Sequence, residues 1–206
     1  MLGGTVSCRA QQHSGLASNR TISPIVTPSL NTAVVCKGFR AFCRSVASIA
    51  TTYIRVVHDQ CNDDPLASNE AGQQLIQAAN DLLVARGIFD QDFVDSVSTT
   101  FCSDLLDVGA KGLTPNGQRI YLDEYWLDKD LVDVAIVMAH EYTHIQQWNR
   151  MGAWKFKCHY ATVVLNGGGT GPTDNNWIER EAYDFAEAMA ECIESEINCP
   201  GDARDL

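Results

Sequence analysis

The segment 131–148 places the strongest constraint on how this chain can fold. Its residues follow a helical pattern that begins after Asp128 or Asp130, either of which can act as N-cap, and ends before Gly152. The centre of the segment, residues 134–139, has the sequence Val-Ala-Ile-Val-Met-Ala and is apolar on every side of the helix. A helix without a polar face must be surrounded by other elements. We therefore predict that this helix passes through the core.

The remaining pattern predicts a mostly helical α+β chain with a small β-sheet. Residues 1–30 show no sustained periodicity and are predicted to form an arm or loop, and the glycine-rich segment 166–172 is predicted to be a second loop. The other predicted elements, in chain order, are a helix over 31–58 with Val56 on its buried stripe, helices around 75–87 and 93–109, a strand within 119–126 and a last helix over 176–197.

Two histidines and a glutamate lie together in the predicted core helix, in the sequence His-Glu-Tyr-Thr-His at residues 140–144. Residues four apart share one face of a helix, so both imidazoles can reach one metal ion. A catalytic zinc takes three protein ligands and keeps a position for water, and a neighbouring glutamate can take the proton of that water. The pattern therefore predicts one zinc ion per chain, held by His140 and His144, with Glu141 as general base.

A third metal ligand must come from elsewhere, and the last helix offers two glutamates. At 100° per residue, Glu179 lies roughly 40° from the centre of the apolar stripe, whereas Glu181 lies roughly 120° away, on the solvated side. An inward carboxylate is a ligand candidate, although an acid placed at a helix start by the dipole is an alternative explanation for Glu179. The helical phase favours Glu179, and His159 stays open as the other possible ligand.

Several of these residues also carry a resemblance to a known family. The sequence HEYTH followed by Gln146-Gln147, and the later Ile178-Glu179-Arg180-Glu181-Ala182-Tyr183, resemble the HExxHxxQQ and ExEAD patterns of gluzincin metallopeptidases. Together with residues 117–122, they resemble the metallopeptidase domain associated with bacterial extracellular contractile injection systems. The resemblance covers residues 109–190. It implies a zincin-like fold in which Glu179 is the third ligand. The chain departs from the pattern at Tyr183, where the family tends to have an Asp that orients a ligating histidine.

Charge and cysteine content limit the partners and the compartment. Acidic residues outnumber basic ones 26 to 15, for a formal net charge of -11, so there is no basic stripe for the phosphates of a nucleic acid. The eight cysteines contain no CxxC spacing and predict disulfides in an oxidising compartment. A secreted or extracellular protein is therefore expected, although no signal peptide is visible in this sequence. No apolar run reaches transmembrane length.

We therefore expect one zincin-like domain over 31–206, with a helical scaffold at 31–109 and a catalytic part at 110–206. The expected activity is zinc-dependent hydrolysis of peptide bonds in a peptide or protein substrate that lies along an edge strand within 119–126. The oxyanion stabiliser stays open among Tyr160, His159 and Tyr183. One alternative is a catalytically inactive zincin-like module, secreted for binding or associated with a toxin. Another is a disulfide-stapled interaction protein whose HExxH is accidental. The oligomeric state is not predicted.

Overall fold

The computed structural model describes residues 43–45, 48, 51–52, 54–105, 111–163 and 176–195. The chain divides into two units, residues 1–45 and 46–206, and the fold given below is that of the second unit. The predicted arm at 1–30, the glycine-rich segment at 166–172 and most of the predicted helix at 31–58 lie outside the described residues.

In the second unit, residues 48, 51–52 and 54–62 are helical, and the unbroken stretch 54–62 is called here the 54–62 helix. The elements that follow are α1 (Glu70–Ala85), α2 (Gln91–Asp95), β1 (Ser98–Cys102), β2 (Gly112–Asn116), β3 (Arg119–Asp123), α3 (Leu131–Met151), α4 (Ala153–Val163) and α5 (Trp177–Ser195). Short 3-10 helices lie at Pro65–Ser68 and Glu124–Asp128. The unit is mostly helical with a small sheet, which confirms the predicted α+β class.

The three described strands form one sheet in the order β1-β3-β2. β1 runs parallel to the central β3, and β2 runs antiparallel to it at one edge. The register of β2 shifts between Leu113, which pairs with Tyr121, and Asn116, which pairs with Arg119. Two residues of β2 therefore face one residue of β3, which is a β-bulge. Pro115 is one of the two, and an edge strand tolerates a residue that has no N–H.

The core lies between one face of this sheet and the helices α1 and α3, and α5 packs on α3. The buried residues of this core include Ala79, Leu83, Phe101, Ile120, Leu122, Val134, Ala135, Met138, Tyr142, Phe185 and Met189. Asp130, not Asp128, is the N-cap of α3, because its Oδ1 accepts a hydrogen bond from the Asp133 N–H at 2.9 Å. The predicted core helix is thus confirmed, with its end at Met151.

The 54–62 helix covers the opposite face of the sheet. Cys61 forms a disulfide with Cys102 of β1, and both are fully buried beside Val57 and Tyr121. Cys43, Cys158 and Cys192 are also disulfide-bonded, so the predicted disulfides are confirmed. Within the described part of the chain, no helix is long and apolar enough to cross a membrane.

The predicted helix around 93–109 is wrong. The structure has the short helix α2 at Gln91–Asp95 and then the strand β1 at Ser98–Cys102. Apolar residues four apart, such as Val97 and Phe101, fit a helix, but the intervening Ser-Thr-Thr run fits a strand equally well. Parallel pairing with β3 along all five residues of β1 favours the strand.

Two smaller predictions also need correction, and one helix is additional. Val56, expected on a buried stripe, is 60% exposed, because the disulfide turns the face with Val57 and Cys61 toward the sheet. The strand predicted within 119–126 ends at Asp123, and Tyr125 lies in the following 3-10 helix. The helix α4 was not predicted, since its residues show little apolar periodicity.

Candidate metal centre

Helix α3 places the two histidines of the HExxH sequence on one face. The Nε2 atoms of His140 and His144 lie 3.1 Å apart, and the two rings are nearly perpendicular, with their centroids 4.7 Å apart. Their side chains are 12% and 7% exposed. Both nitrogens therefore point at the same small volume at the edge of the core.

Helix α5 brings Glu179 to the same place. Its Oε2 lies 3.3 Å from Nε2 of His140 and 3.5 Å from Nε2 of His144. The helix can approach α3 closely because Ala182 and Ala186 are small and buried on the face that carries Glu179. Glu181 instead points away and forms an ion pair with Arg150 at 2.7 Å. The inward phase predicted for Glu179 and the outward phase predicted for Glu181 are both observed.

These three side chains form a group that could hold a metal ion. Ligand atoms bound to a tetrahedral zinc at about 2.0–2.1 Å lie about 3.3–3.4 Å from one another. The distances between the three candidate ligand atoms, 3.1, 3.3 and 3.5 Å, match that spacing. Two imidazoles and one carboxylate are also a donor set that zinc takes in catalytic sites. The residues present therefore fit zinc, and that a metal binds here stays a prediction.

The electrostatics of the group also suit a cation. Burial raises the pKa of Glu179, but hydrogen bonds and charge from His140 and His144 outweigh it and lower the pKa to about 2. Burial lowers the pKa of His144, but Glu179, Glu141 and Gln147 outweigh it and raise the pKa to about 9. Glu179 is therefore ionised at neutral pH, and a bound metal ion would replace a proton on His144.

The orientation of His144 is set by a residue on its own helix. The Nδ1 of His144 lies 2.8 Å from Oε1 of Gln147, and the Nε2 of Gln147 donates to the backbone carbonyl of Ile178 at 2.9 Å. Because an amide oxygen can only accept, Nδ1 carries a proton in this contact, and Nε2 is the nitrogen that would bind a metal in place of its proton. Gln147 is 1% exposed. It therefore fixes one ligand and joins α3 to α5 next to Glu179.

Tyr183, where the chain departs from the pattern that it resembles, contacts the other histidine. Its ring lies 4.5 Å from the ring of His140 in an edge-on arrangement, and the residue is 45% exposed. Burial raises the pKa of Tyr183, and the nearby carboxylates of Glu179 and Glu141 raise it further. Tyr183 therefore gives His140 an aromatic contact.

Glu141 is buried between α3 and the edge strand β2. Its Oε2 accepts a hydrogen bond from the Thr114 hydroxyl at 2.7 Å. A Cβ built on Gly112 would fall 2.9 Å from its Cδ and closer still to its Oε1. No pattern in the sequence predicts a role for either β2 residue.

His159 is not brought into the group. It lies on α4, is exposed, and has its ring 6.1 Å from that of Trp177. Partial desolvation of the imidazole lowers its pKa, and the charge of Lys155 lowers it further. Among the three oxyanion candidates, Tyr183 contacts a predicted metal ligand, whereas the Tyr160 ring lies 6.1 Å from that of Phe156.

The strand expected to bind an extended substrate lies in the wrong place for that role. β3, which contains residues 119–123, is paired on both sides, with β1 and with β2. Its backbone groups are therefore used within the sheet. Among the described strands, β2 is the edge strand that packs against the helix carrying Glu141.

Comparison of the chain with protein-family models, with curated proteins and with solved structures finds no match. The resemblance to gluzincins therefore rests on the residues quoted for it and on the grouping of His140, His144 and Glu179.

Proposed function

We propose that this chain is a zinc-dependent metallopeptidase with a zincin-like fold, in which His140, His144 and Glu179 hold one zinc ion and Glu141 is the general base. The observation that carries the proposal is the convergence of three ligand atoms from two helices to within 3.5 Å of one another. A buried carboxylate follows the first of these ligands directly in the chain. This donor set with an adjacent base suits hydrolysis better than a purely structural site, which is usually closed by four protein ligands.

The side chains of the site have separate tasks in this chemistry. When bound, zinc polarises the carbonyl of the peptide bond and lowers the pKa of a water molecule. Glu141 takes a proton from that water as the water oxygen forms a bond to the carbonyl carbon. The same carboxylic acid then gives its proton to the amide nitrogen as the C–N bond breaks, and Glu141 ends the cycle ionised.

The proposed substrate is a peptide or protein that lies extended along β2. An edge strand can offer backbone donors and acceptors to an added strand, and Gly112 and Thr114 of this one lie beside Glu141. This assignment replaces the central strand β3. The disulfides suggest an oxidising environment, and we propose that the protein acts outside the cell.

Two measurements on protein purified without added metal test the proposal. Elemental analysis is expected to give about one zinc per folded chain. Incubation with a mixed peptide library, followed by mass spectrometry, is expected to show cleavage by the wild type and none by Glu141→Gln. That variant should keep its zinc, because the amide keeps the shape of the side chain and cannot take a proton. Glu124→Gln, at an exposed position in a 3-10 helix, is the matched control and should cleave normally.

The outcomes separate the alternatives. Zinc without cleavage of any peptide would indicate an inactive zincin-like binding module. Protein without zinc would mean that the HExxH sequence is accidental and would favour a disulfide-stapled interaction protein. Full activity in Glu141→Gln would leave hydrolysis standing and would remove Glu141 as the base.

A further inference from the structure

The β-bulge of the edge strand faces the general base. Thr114 and Pro115 lie within the register shift, and both are buried. Gly112 and Thr114 are two residues apart and on the same face of β2, the face toward α3. Bulges commonly redirect a side chain next to an active site. Here the side chain so directed is the hydroxyl of Thr114.

Thr114 holds one of the two oxygens of Glu141. Its Oγ1 lies 2.7 Å from Oε2 of Glu141 and 3.3 Å from the Glu141 backbone oxygen. A threonine hydroxyl has one proton to donate, and the shorter distance assigns it to the carboxylate. Both residues are less than 9% exposed. This is therefore a buried, charge-assisted hydrogen bond, which is of the stronger kind.

Gly112 makes room for the other oxygen. A Cβ at this position would lie 2.9 Å from Cδ and 3.1 Å from Cγ of Glu141, and nearer still to Oε1. Gly112 is not one of the described glycines with positive φ, which are Gly87 and Gly152. The backbone at Gly112 would thus accept any residue, and the requirement for glycine comes from the space that the carboxylate occupies.

We infer that Thr114 and Gly112 are positioning residues for Glu141, and that they assign its two oxygens to different tasks. Thr114 anchors Oε2, and Gly112 leaves the space in which Oε1 stays free to take the proton of water. A glutamate has three side-chain torsions, and an anchor at one oxygen limits the positions of the other. This inference rests on the proposed peptidase function, because a base that transfers no proton needs no such positioning.

The test compares three threonine variants in zinc-loaded protein. Thr114→Val keeps the shape and removes the hydroxyl, and kcat for a cleaved peptide is expected to fall about 10²-fold with KM and zinc affinity nearly unchanged. Thr114→Ser keeps the hydroxyl and should restore most of kcat. Thr143→Val is the matched control, since Thr143 is also buried but donates to Ala139 of its own helix. It should leave kcat unchanged.

A second measurement does not depend on activity. The free energies of unfolding of Thr114→Val, Glu141→Ala and the double variant should be non-additive, because the two side chains contact each other. Gly112→Ala, if it folds, should keep zinc and lose kcat at least as strongly as Thr114→Val.

The failures are distinguishable. If the wild type cleaves peptides and the Thr114→Val variant has a normal kcat, the inference is wrong and the proposed function stands. The same holds if the Thr114→Val variant loses its zinc. Additive free energies of unfolding would overturn the inference whether or not the wild type cleaves peptides. If the unfolding energies of the variants are non-additive but the wild type cleaves no peptide, Glu141 has no catalytic task, and both proposals are wrong.

Discussion

The two faces of the sheet are held in different ways. On one face, a disulfide joins Cys61 of the 54–62 helix to Cys102 of β1. Polar contacts surround that bond: Arg119 donates to Asn62 Oδ1 at 2.7 Å, and His58 contacts the hydroxyl of buried Tyr121. The other face packs against α1 and α3 through apolar side chains, and the candidate metal centre lies where α5 joins α3.

The difference separates stability from function. A covalent bond keeps the 54–62 helix on the sheet whatever the exact positions of nearby side chains. The metal centre depends on how closely α5 approaches α3, since Glu179 must come within 3.5 Å of both histidines. A change in the centre should therefore alter metal affinity with a small loss of stability, and a change in the disulfide should do the reverse.

Removal of the third ligand of the candidate metal centre is expected to have the strongest effect. Glu179→Ala should weaken zinc binding by orders of magnitude, because a zinc held by two histidines alone is under-ligated. Glu181→Ala is the matched control two residues further along. Its carboxylate pairs with Arg150 near the surface, so zinc affinity should hardly change. Competitive chelator titration measures both variants.

Each other result of these titrations has a definite meaning. If Glu181→Ala releases zinc, the assignment of the two glutamates is reversed. If neither variant does, His159 becomes the next ligand to test, and the grouping of His140, His144 and Glu179 has another role.

A smaller effect is expected on the opposite face of the sheet, where the disulfide between Cys61 and Cys102 lies. Replacing Cys61 and Cys102 together by Ala should lower the free energy of unfolding by about 2–4 kcal/mol, because the bond closes a loop between residues 41 apart in sequence. The folded variant should still bind one zinc per chain. Denaturant unfolding and elemental analysis measure the two properties. Loss of zinc at denaturant concentrations where the variant is still folded would show that the two faces are not independent.

The part of this architecture that could be predicted from sequence is the part set by local periodicity. Helix α3, its histidines four apart and the inward phase of Glu179 follow from the 100° step of a helix. The cap at Asp130 and the end near Gly152 follow from short-range hydrogen bonding.

The rest depends on contacts between residues distant in sequence. β1 has a pattern compatible with a helix or a strand, and pairing with β3 decides between them. Thr114 and Gly112 lie beside Glu141 but precede it by 27 and 29 residues in the chain. The strand that carries them has only five residues and contains a bulge, so it shows no clear alternation of apolar and polar residues. The role of Gln147 depends on the carbonyl of Ile178, on another helix, and no local pattern shows that contact.

The weakest effect on the candidate metal centre is expected at Gln147, which contacts His144 and does not itself belong to the ligand group. Gln147→Leu removes the acceptor for Nδ1 of His144 and the donor to the Ile178 carbonyl, so His144 loses its orientation and α5 loses a contact beside Glu179. Loss of such an orienting partner typically costs about 10–100-fold in metal affinity. Gln147→Glu keeps the acceptor and should lose less affinity than the leucine variant. Gln146→Leu, the adjacent and half-buried glutamine, is the control and should bind zinc normally. Equal affinities for Gln147→Leu and wild type in chelator titrations would show that packing alone orients His144.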